Sequence, residues 1–194
     1  MISAILLASG YSRRLNGNKL LLDFRGKPII EHTMRSISSC NFDLKLLVTR
    51  DNTFSMLSGK YGFQELINTQ AHVGQSAGVR LGTLNTQVDS SLMFFVGDQP
   101  LLGSDIINQL LHESRSNPDK IIVPKIDNRG RSPVIFPPSL RAEILNISGD
   151  MGGRSVISKY PTLVHSVYFS DPLPFSDIDT PGDYDVLRSL DQPL

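Results

Sequence analysis

A three-layer α/β/α domain on a mostly parallel sheet is the fold class this chain predicts, and three observations carry the prediction. Continuously apolar runs of strand length recur, as at residues 2–7 and 91–96, the pattern of strands buried on both faces. Stretches with apolar residues at helical spacing fall between them, and such alternation points to parallel strands joined by helical crossovers. The 194 residues, 40% of them apolar, suffice for one core and are short for two. With no internal repeat and no low-complexity linker, a single domain over 1–194 is expected.

The elements follow in order. Residues 2–7 form a buried first strand that empties into a small, glycine-containing loop. Pro28 suits the first turn of a helix over 28–37, where apolar residues recur at helical spacing. Residues 44–49 read as a second strand, followed by a helical stretch near 53–61 and a short strand at 65–68. A helix over 75–84 is expected despite Gly78 and Gly82. The run 91–96 is the strongest central-strand signal, and it ends in Gly97-Asp98-Gln99-Pro100 ahead of a helix over 104–114 with Ser104 as N-cap. The second half is less regular. Strands are expected at 120–124 and 133–136 with a turn at 128–131, a helix at 139–147, and a loop at 149–154 that opens another helix. A strand at 164–169 and a helix at 180–190, with Pro181 at its start, close the chain. The whole is a Rossmann-like plan, in which ligands bind beyond the carboxyl ends of the strands.

Charge and cysteine content narrow the function. Lys and Arg number 19, as do Asp and Glu, so the balance of charge calls for neither nucleic acid nor an anionic membrane. A negative ligand needs a local cluster of cations instead. Cys40, the lone cysteine, cannot form an internal disulfide and reads as a packed structural residue in a reducing compartment. The first apolar run has no basic flank and is too short for a signal peptide or a membrane span, so a cytoplasmic protein is expected. His and Cys nowhere take zinc-ligand spacing, and no Gly-x-Ser-x-Gly elbow is present.

The chemistry concentrates at two strand ends. Leu7-Ala8-Ser9-Gly10, with Ser12, Arg14 and Lys19 after it, offers backbone N–H groups and cations to a polyphosphate. It is neither a Walker A loop nor a G-x-G-x-x-G fingerprint. Loop charges are usually only solvated, but small residues after a buried strand let a nucleotide approach the backbone closely. Asp98 could merely cap the next helix, yet Ser104 is the better cap, and a carboxylate at the sheet's edge suits Mg²⁺. Around 176–183, helix capping by Thr180 or Asp179 is the plain reading. Alternation about Ile178 also puts Asp177 and Asp179 on one side, so either can face a metal.

Taken in order, Leu7-Ala8-Ser9-Gly10-x-Ser12-x-Arg14-Leu15-x-x-x-Lys19, Gly26-Lys27-Pro28, Gly97-Asp98-Gln99-Pro100 and Asp177-Ile178-Asp179-Thr180-Pro181 resemble the nucleotidyltransferases of the molybdenum-cofactor cytidylyltransferase and guanylyltransferase type. The segment from Asn68-Thr69 through Gly74-Gln75-Ser76 to Gly82, Arg131-Ser132-Pro133-Val134 and Gly149-Asp150-Met151-Gly152-Gly153-Arg154 are similar to the cytidylyl branch. Asp98-Gln99-Pro100 is closer to the guanylyl branch, Ser9 matches neither branch, and Arg131-Ser132-Pro133 stands where Gly-His-Pro is usual.

The resemblance implies a nucleotide-diphospho-sugar-transferase-like fold and transfer of a nucleoside monophosphate, CMP in preference to GMP, from an NTP to the phosphate of molybdopterin. Arg14, Lys19 and Asp98 would act in catalysis. Leu7, Ala8, Ser9, Gly10, Ser12, Arg14, Lys19, Gln75, Ser76 and Asp98 would hold the nucleotide. Arg131, Asp150 and Arg154 would meet the acceptor, and Asp98 with Asp179 would hold Mg²⁺. A molybdoenzyme or its chaperone is the further partner implied. Two other readings share these motifs: a sugar- or polyol-phosphate nucleotidyltransferase, and a non-catalytic nucleotide-binding partner that delivers cofactor.

Overall fold

The computed structural model describes residues 1–10 and 18–190. Strand β1 (Ile2–Leu7) is followed by a 3₁₀ turn at Lys19–Leu21, a short hairpin of β2 (Asp23–Phe24) and β3 (Lys27–Pro28), and helix α1 (Ile29–Ser38). Next come β4 (Leu44–Thr49), α2 (Ser55–Tyr61), β5 (Gln64–Ile67), α3 (Gln75–Leu84), β6 (Ser91–Val96) and α4 (Ser104–Ser116). The remainder is β7 (Ile121–Ile126), β8 (Arg129–Gly130), β9 (Val134–Phe136), α5 (Arg141–Leu145), α6 (Gly153–Lys159), β10 (Val164–Tyr168) and α7 (Pro181–Ser189).

The main sheet runs β10-β7-β9-β6-β1-β4-β5, with β8 paired to β7. Strands β6, β1, β4 and β5 are mutually parallel, as are β7 and β10. Strand β9 is inserted antiparallel between β6 and β7. Its direction follows from the β7–β8 hairpin, whose turn residues Asp127 and Asn128 have φ of 48° and 62°. Positive φ at both central residues is the twist-matched geometry of a two-residue hairpin. The turn therefore lies at Asp127-Asn128, just before the 128–131 expected, and Arg129 and Gly130 belong to β8.

Period-2 alternation along β1 builds both layers of the core. Ala4 and Leu6 face a cluster with Ile30, Met34 and Ile37 of α1 and Ile107, Leu110 and Leu111 of α4. Ile5 faces the opposite cluster, with Val79 of α3, Ile144 of α5 and Val156 of α6. Gly82 explains how a glycine persists inside α3: a Cβ there would lie 2.5 Å from Ile5 Cγ2, so only hydrogen lets the helix settle onto β1. Helix α4 begins at Ser104 with Gly103 as N-cap and no side-chain cap bond, one residue earlier than the cap expected.

A third, smaller cluster joins the two ends of the chain. Phe24 of β2 and Ile29 of α1 pack against Ile178 and Leu187. His32 adds to it, its Nε2 lying 2.7 Å from the Phe24 carbonyl oxygen and its ring against the Phe24 ring. This cluster holds the segment before α7 over the carboxyl edge of the sheet. Among the described residues no helix is long and apolar enough to cross a membrane.

Candidate active site

Strands β1 and β6 are neighbours in the sheet and run in the same direction, so their carboxyl ends open side by side. The Gly97 N–H donates to the Leu7 carbonyl oxygen (3.2 Å), which carries the pairing into both loops. A Cβ on Gly97 would lie 3.2 Å from both methyls of Leu20. The Lys19–Leu21 turn therefore rests directly on this strand end, and the Asn18 side chain, accepting from the Leu20 N–H, fixes its start. From the other side, the Ile178 N–H donates to the Asp98 carbonyl oxygen (3.1 Å), and Ile178 is anchored in the third cluster. Thr180 caps α7 in a reciprocal box with Asp183, which sets the chain direction just after Asp179.

These supports bring the charged groups together. Lys19 Nζ lies 2.5 Å from Asp98 Oδ2 and 2.7 Å from Asp179 Oδ1. Burial alone would push the Lys19 ammonium down, but Asp98 and Asp179 outweigh it and hold the group above its ordinary value. The opposite happens at Asp177: burial, reinforced by the Asp98 charge, raises its carboxyl to about 6, against the Gln99 hydrogen bond. Asp98 Oδ1 is buried and has no hydrogen-bond partner among the described residues. A buried carboxylate oxygen without a partner is costly, and an ammonium already sits on its sister oxygen. Both facts fit a place for a cation. Among the described residues no group of three or more His, Cys, Asp or Glu is arranged to hold a metal. Asp98 and Asp179 offer two carboxylates, the sparse kind of oxygen set that suits an ion completing its shell with phosphate and water.

Two cavities meet here. The smaller, about 610 Å³, is lined by Leu7, Ala8, Ser9, Gly10, Lys19, residues 71–75, Asp98 and Asp179. The larger, about 1140 Å³, has an apolar floor that includes Phe94, Val123 and Phe136, and cations Lys125, Arg129, Arg131 and Arg154. Leu7, Gln75, Val96, Asp98 and Asp150 line both. Asp98 thus stands at the junction, with Asp179 on the smaller side and Asp177 on the larger.

The profile of the MobA-like NTP transferase domain matches residues 4–164. This chain belongs to that family. It is 32% identical over 187 residues to a molybdenum cofactor guanylyltransferase of Shewanella piezotolerans, an alignment covering 93% of this chain and 88% of the relative. Among solved structures it is similar in fold to a nucleotidyl transferase from Methanothermobacter, with a TM-score of 0.84 at 19% identity over 98% of this chain and 97% of that one. A manganese complex of Rv0371C from Mycobacterium tuberculosis aligns with a TM-score of 0.79 at 19% identity, over 97% of this chain and 98% of that one.

Within this MobA-like domain, the residues expected at the nucleotide and acceptor sites divide only in part between the two lobes, since Leu7, Gln75, Asp98 and Asp150 border both. Leu7 to Gly10, Lys19 and Asp179 border the smaller cavity, and Arg131 and Arg154 the larger. Ser76 is not brought to either lining: it is 2% exposed, and its N–H donates to the Gly149 carbonyl oxygen. Ser12 and Arg14 lie outside the described residues. Two cations of the larger cavity, Lys125 and Arg129, were given no role by sequence reasoning, and neither was Asn68 beneath the first loop. Asn68 donates from Nδ2 to Ser9 Oγ (3.3 Å). The signal for Lys125 was its place at the carboxyl end of a parallel strand; Arg129 arrives only through the β8 hairpin.

Proposed function

We propose that this domain transfers a nucleoside monophosphate from an NTP to the phosphate of a molybdopterin-type acceptor. An acceptor phosphate oxygen attacks the α-phosphorus, the bond between the α-phosphorus and its bridging oxygen to the β-phosphorus breaks, and pyrophosphate leaves. The observation that carries this reading is Asp98, which lines both the smaller and the larger cavity and has a buried oxygen without a partner among the described residues. In-line transfer needs a donor and an acceptor on either side of one charge-neutralising point.

The chain's own groups divide the work. Ser9 and Gly10 line the smaller cavity and would offer their backbone N–H groups to the triphosphate, with Ser12 and Arg14 assigned to it by their motif. Asp98 and Asp179 would hold Mg²⁺, which when bound neutralises phosphate oxygens of donor and acceptor. Lys19, drawn off the carboxylates, would then steady the polyphosphate as a mobile point charge. Arg131, Arg154 and Asp150 orient the acceptor, while Gln75, between the lobes, contacts the donor's ribose or base.

The larger cavity favours molybdopterin over a sugar or polyol phosphate, because its apolar floor suits a fused-ring body and its cations suit an anionic tail. A delivery partner without catalysis has no use for an orphaned carboxylate at the junction. For the base, CTP is the donor supported by the Gly74-to-Gly82 and Gly149-to-Arg154 segments. GTP is the second reading, favoured by the relative named a guanylyltransferase. Pyrophosphate release measured with CTP, GTP, Mg²⁺ and molybdopterin in one assay tests all of this. The expected result is acceptor-dependent release, fastest with CTP, that falls roughly a hundredfold or more in Asp98→Asn. Faster release with GTP establishes the second reading, and acceptor-independent release, or full turnover by Asp98→Asn, overturns the proposal.

A further inference from the structure

Gln99 is 2% exposed, immediately follows Asp98, and has no part in the chemistry above. Its Nε2 donates to Asp177 Oδ1 (2.8 Å) and to the Phe175 carbonyl oxygen (3.3 Å). The Phe175 carbonyl can only accept, which turns the amide nitrogen toward it and toward the Asp177 carboxylate beside it. The price is visible: Gln99 Oε1 is buried with no hydrogen-bond partner among the described residues. The residue's own carbonyl oxygen accepts from Thr33 Oγ1 (3.1 Å), which ties it to α1. Gln99 is therefore fixed at one end to the helix layer and grips, at the other, the irregular segment that carries Asp177 and Asp179.

That segment needs a grip. Residues 176–180 form neither helix nor strand, and they bring Asp177 and Asp179 beside Asp98, where three carboxylates repel one another. Lys19 offsets the repulsion at Asp98 and Asp179 but makes no hydrogen bond to Asp177. The Gln99 amide is what faces Asp177. We propose that Gln99 is a positioning residue: by holding the Asp177 carboxylate it sets the spacing of the Asp177–Asp179 segment from Asp98, and so the affinity of the site for a divalent cation. This rests on the reading that Asp98 and Asp179 hold that cation.

Mn²⁺ binding to the full chain, followed by electron paramagnetic resonance without nucleotide, tests it. Gln99→Met keeps the side chain's volume and removes the donor. Loss of an outer partner of this kind should weaken Mn²⁺ binding about tenfold. In an Asp177→Ala background, where the amide has no carboxylate to hold, the same change should alter affinity less than twofold, the non-additivity of residues that act through one another. Wild-type affinity in Gln99→Met, or an equal loss in both backgrounds, overturns the inference alone. Gln99→Glu, which keeps the shape and adds a fourth negative charge, gives an independent comparison and should bind Mn²⁺ more weakly than wild type in the Asp177 background. Wild-type Mn²⁺ affinity in Asp98→Asn would instead overturn the cation reading, and this inference with it.

Discussion

Lys19→Met removes an ammonium from between two carboxylates while keeping most of the stem. In the structure Nζ lies 2.5 Å from Asp98 and 2.7 Å from Asp179, whose side chains are 15% and 51% exposed. The pairs thus fall between two regimes. An exposed ion pair contributes about 0–1 kcal/mol. Removing one partner of a fully buried pair costs about 3–5 kcal/mol, because the other charge stays buried alone. A cost of about 2 kcal/mol follows, or a Tm drop of roughly 4–8 °C for a chain of this length. The variant should also respond more strongly to Mg²⁺, since a divalent ion takes the vacated place without first displacing an ammonium. Thermal unfolding in metal-free buffer and in millimolar Mg²⁺ measures both effects. An unchanged Tm without metal, or a deficit that Mg²⁺ does not narrow, would refute the reasoning.

Other predictions follow from the same geometry. Gly74→Ala should cost about 1–3 kcal/mol and raise the KM for NTP, because φ is +121° and the new Cβ would lie 2.5 Å from the Gly149 carbonyl oxygen at the donor cavity; differential scanning calorimetry and NTP titration check it. Arg131→Ala should raise the KM for the acceptor roughly ten- to hundredfold and leave that for NTP unchanged in steady-state kinetics, since a charge-assisted bond is worth about 1.5–3 kcal/mol. Glu31 supplies the pH dependence: the Lys60 hydrogen bond, aided by Tyr61 and Lys27, holds it below its ordinary 4.5 despite burial. A depressed carboxylate stabilises the fold above its unfolded pKa and loses that contribution as pH falls through the folded value. Glu31→Gln should therefore be less stable than wild type at neutral pH, with the gap in denaturant midpoints closing in acid.

Much of the architecture was legible because buried strands announce themselves. Strands β1, β4 and β6 and helix α3 run over the residues that their apolar patterns mark, and the strand ends that carry Ser9 and Asp98 adjoin as a parallel sheet requires. The β2–β3 hairpin was not legible, because two-residue strands have no periodicity; its turn rests on positive φ at Arg25 and Gly26. The antiparallel sense of β9 was equally hidden, since an apolar run of that length reads alike in either direction. At the site, motifs brought Lys19, Asp98 and Asp179 forward, and the structure joins them. What pattern could not supply was Lys19 resting on the carboxylates, or Gln99 reaching Asp177, because both depend on packing between distant segments.

A crystal soaked with MnCl₂ and a non-hydrolysable CTP analogue tests the central claim most directly, since anomalous scattering locates the ion independently of the protein phases. One Mn²⁺ is expected on Asp98 Oδ1, with the triphosphate over Ser9 and Gly10 in the smaller cavity and Lys19 moved off the carboxylates onto phosphate. An ion bound away from Asp98, or a nucleotide seated elsewhere with Lys19 still between Asp98 and Asp179, would contradict it.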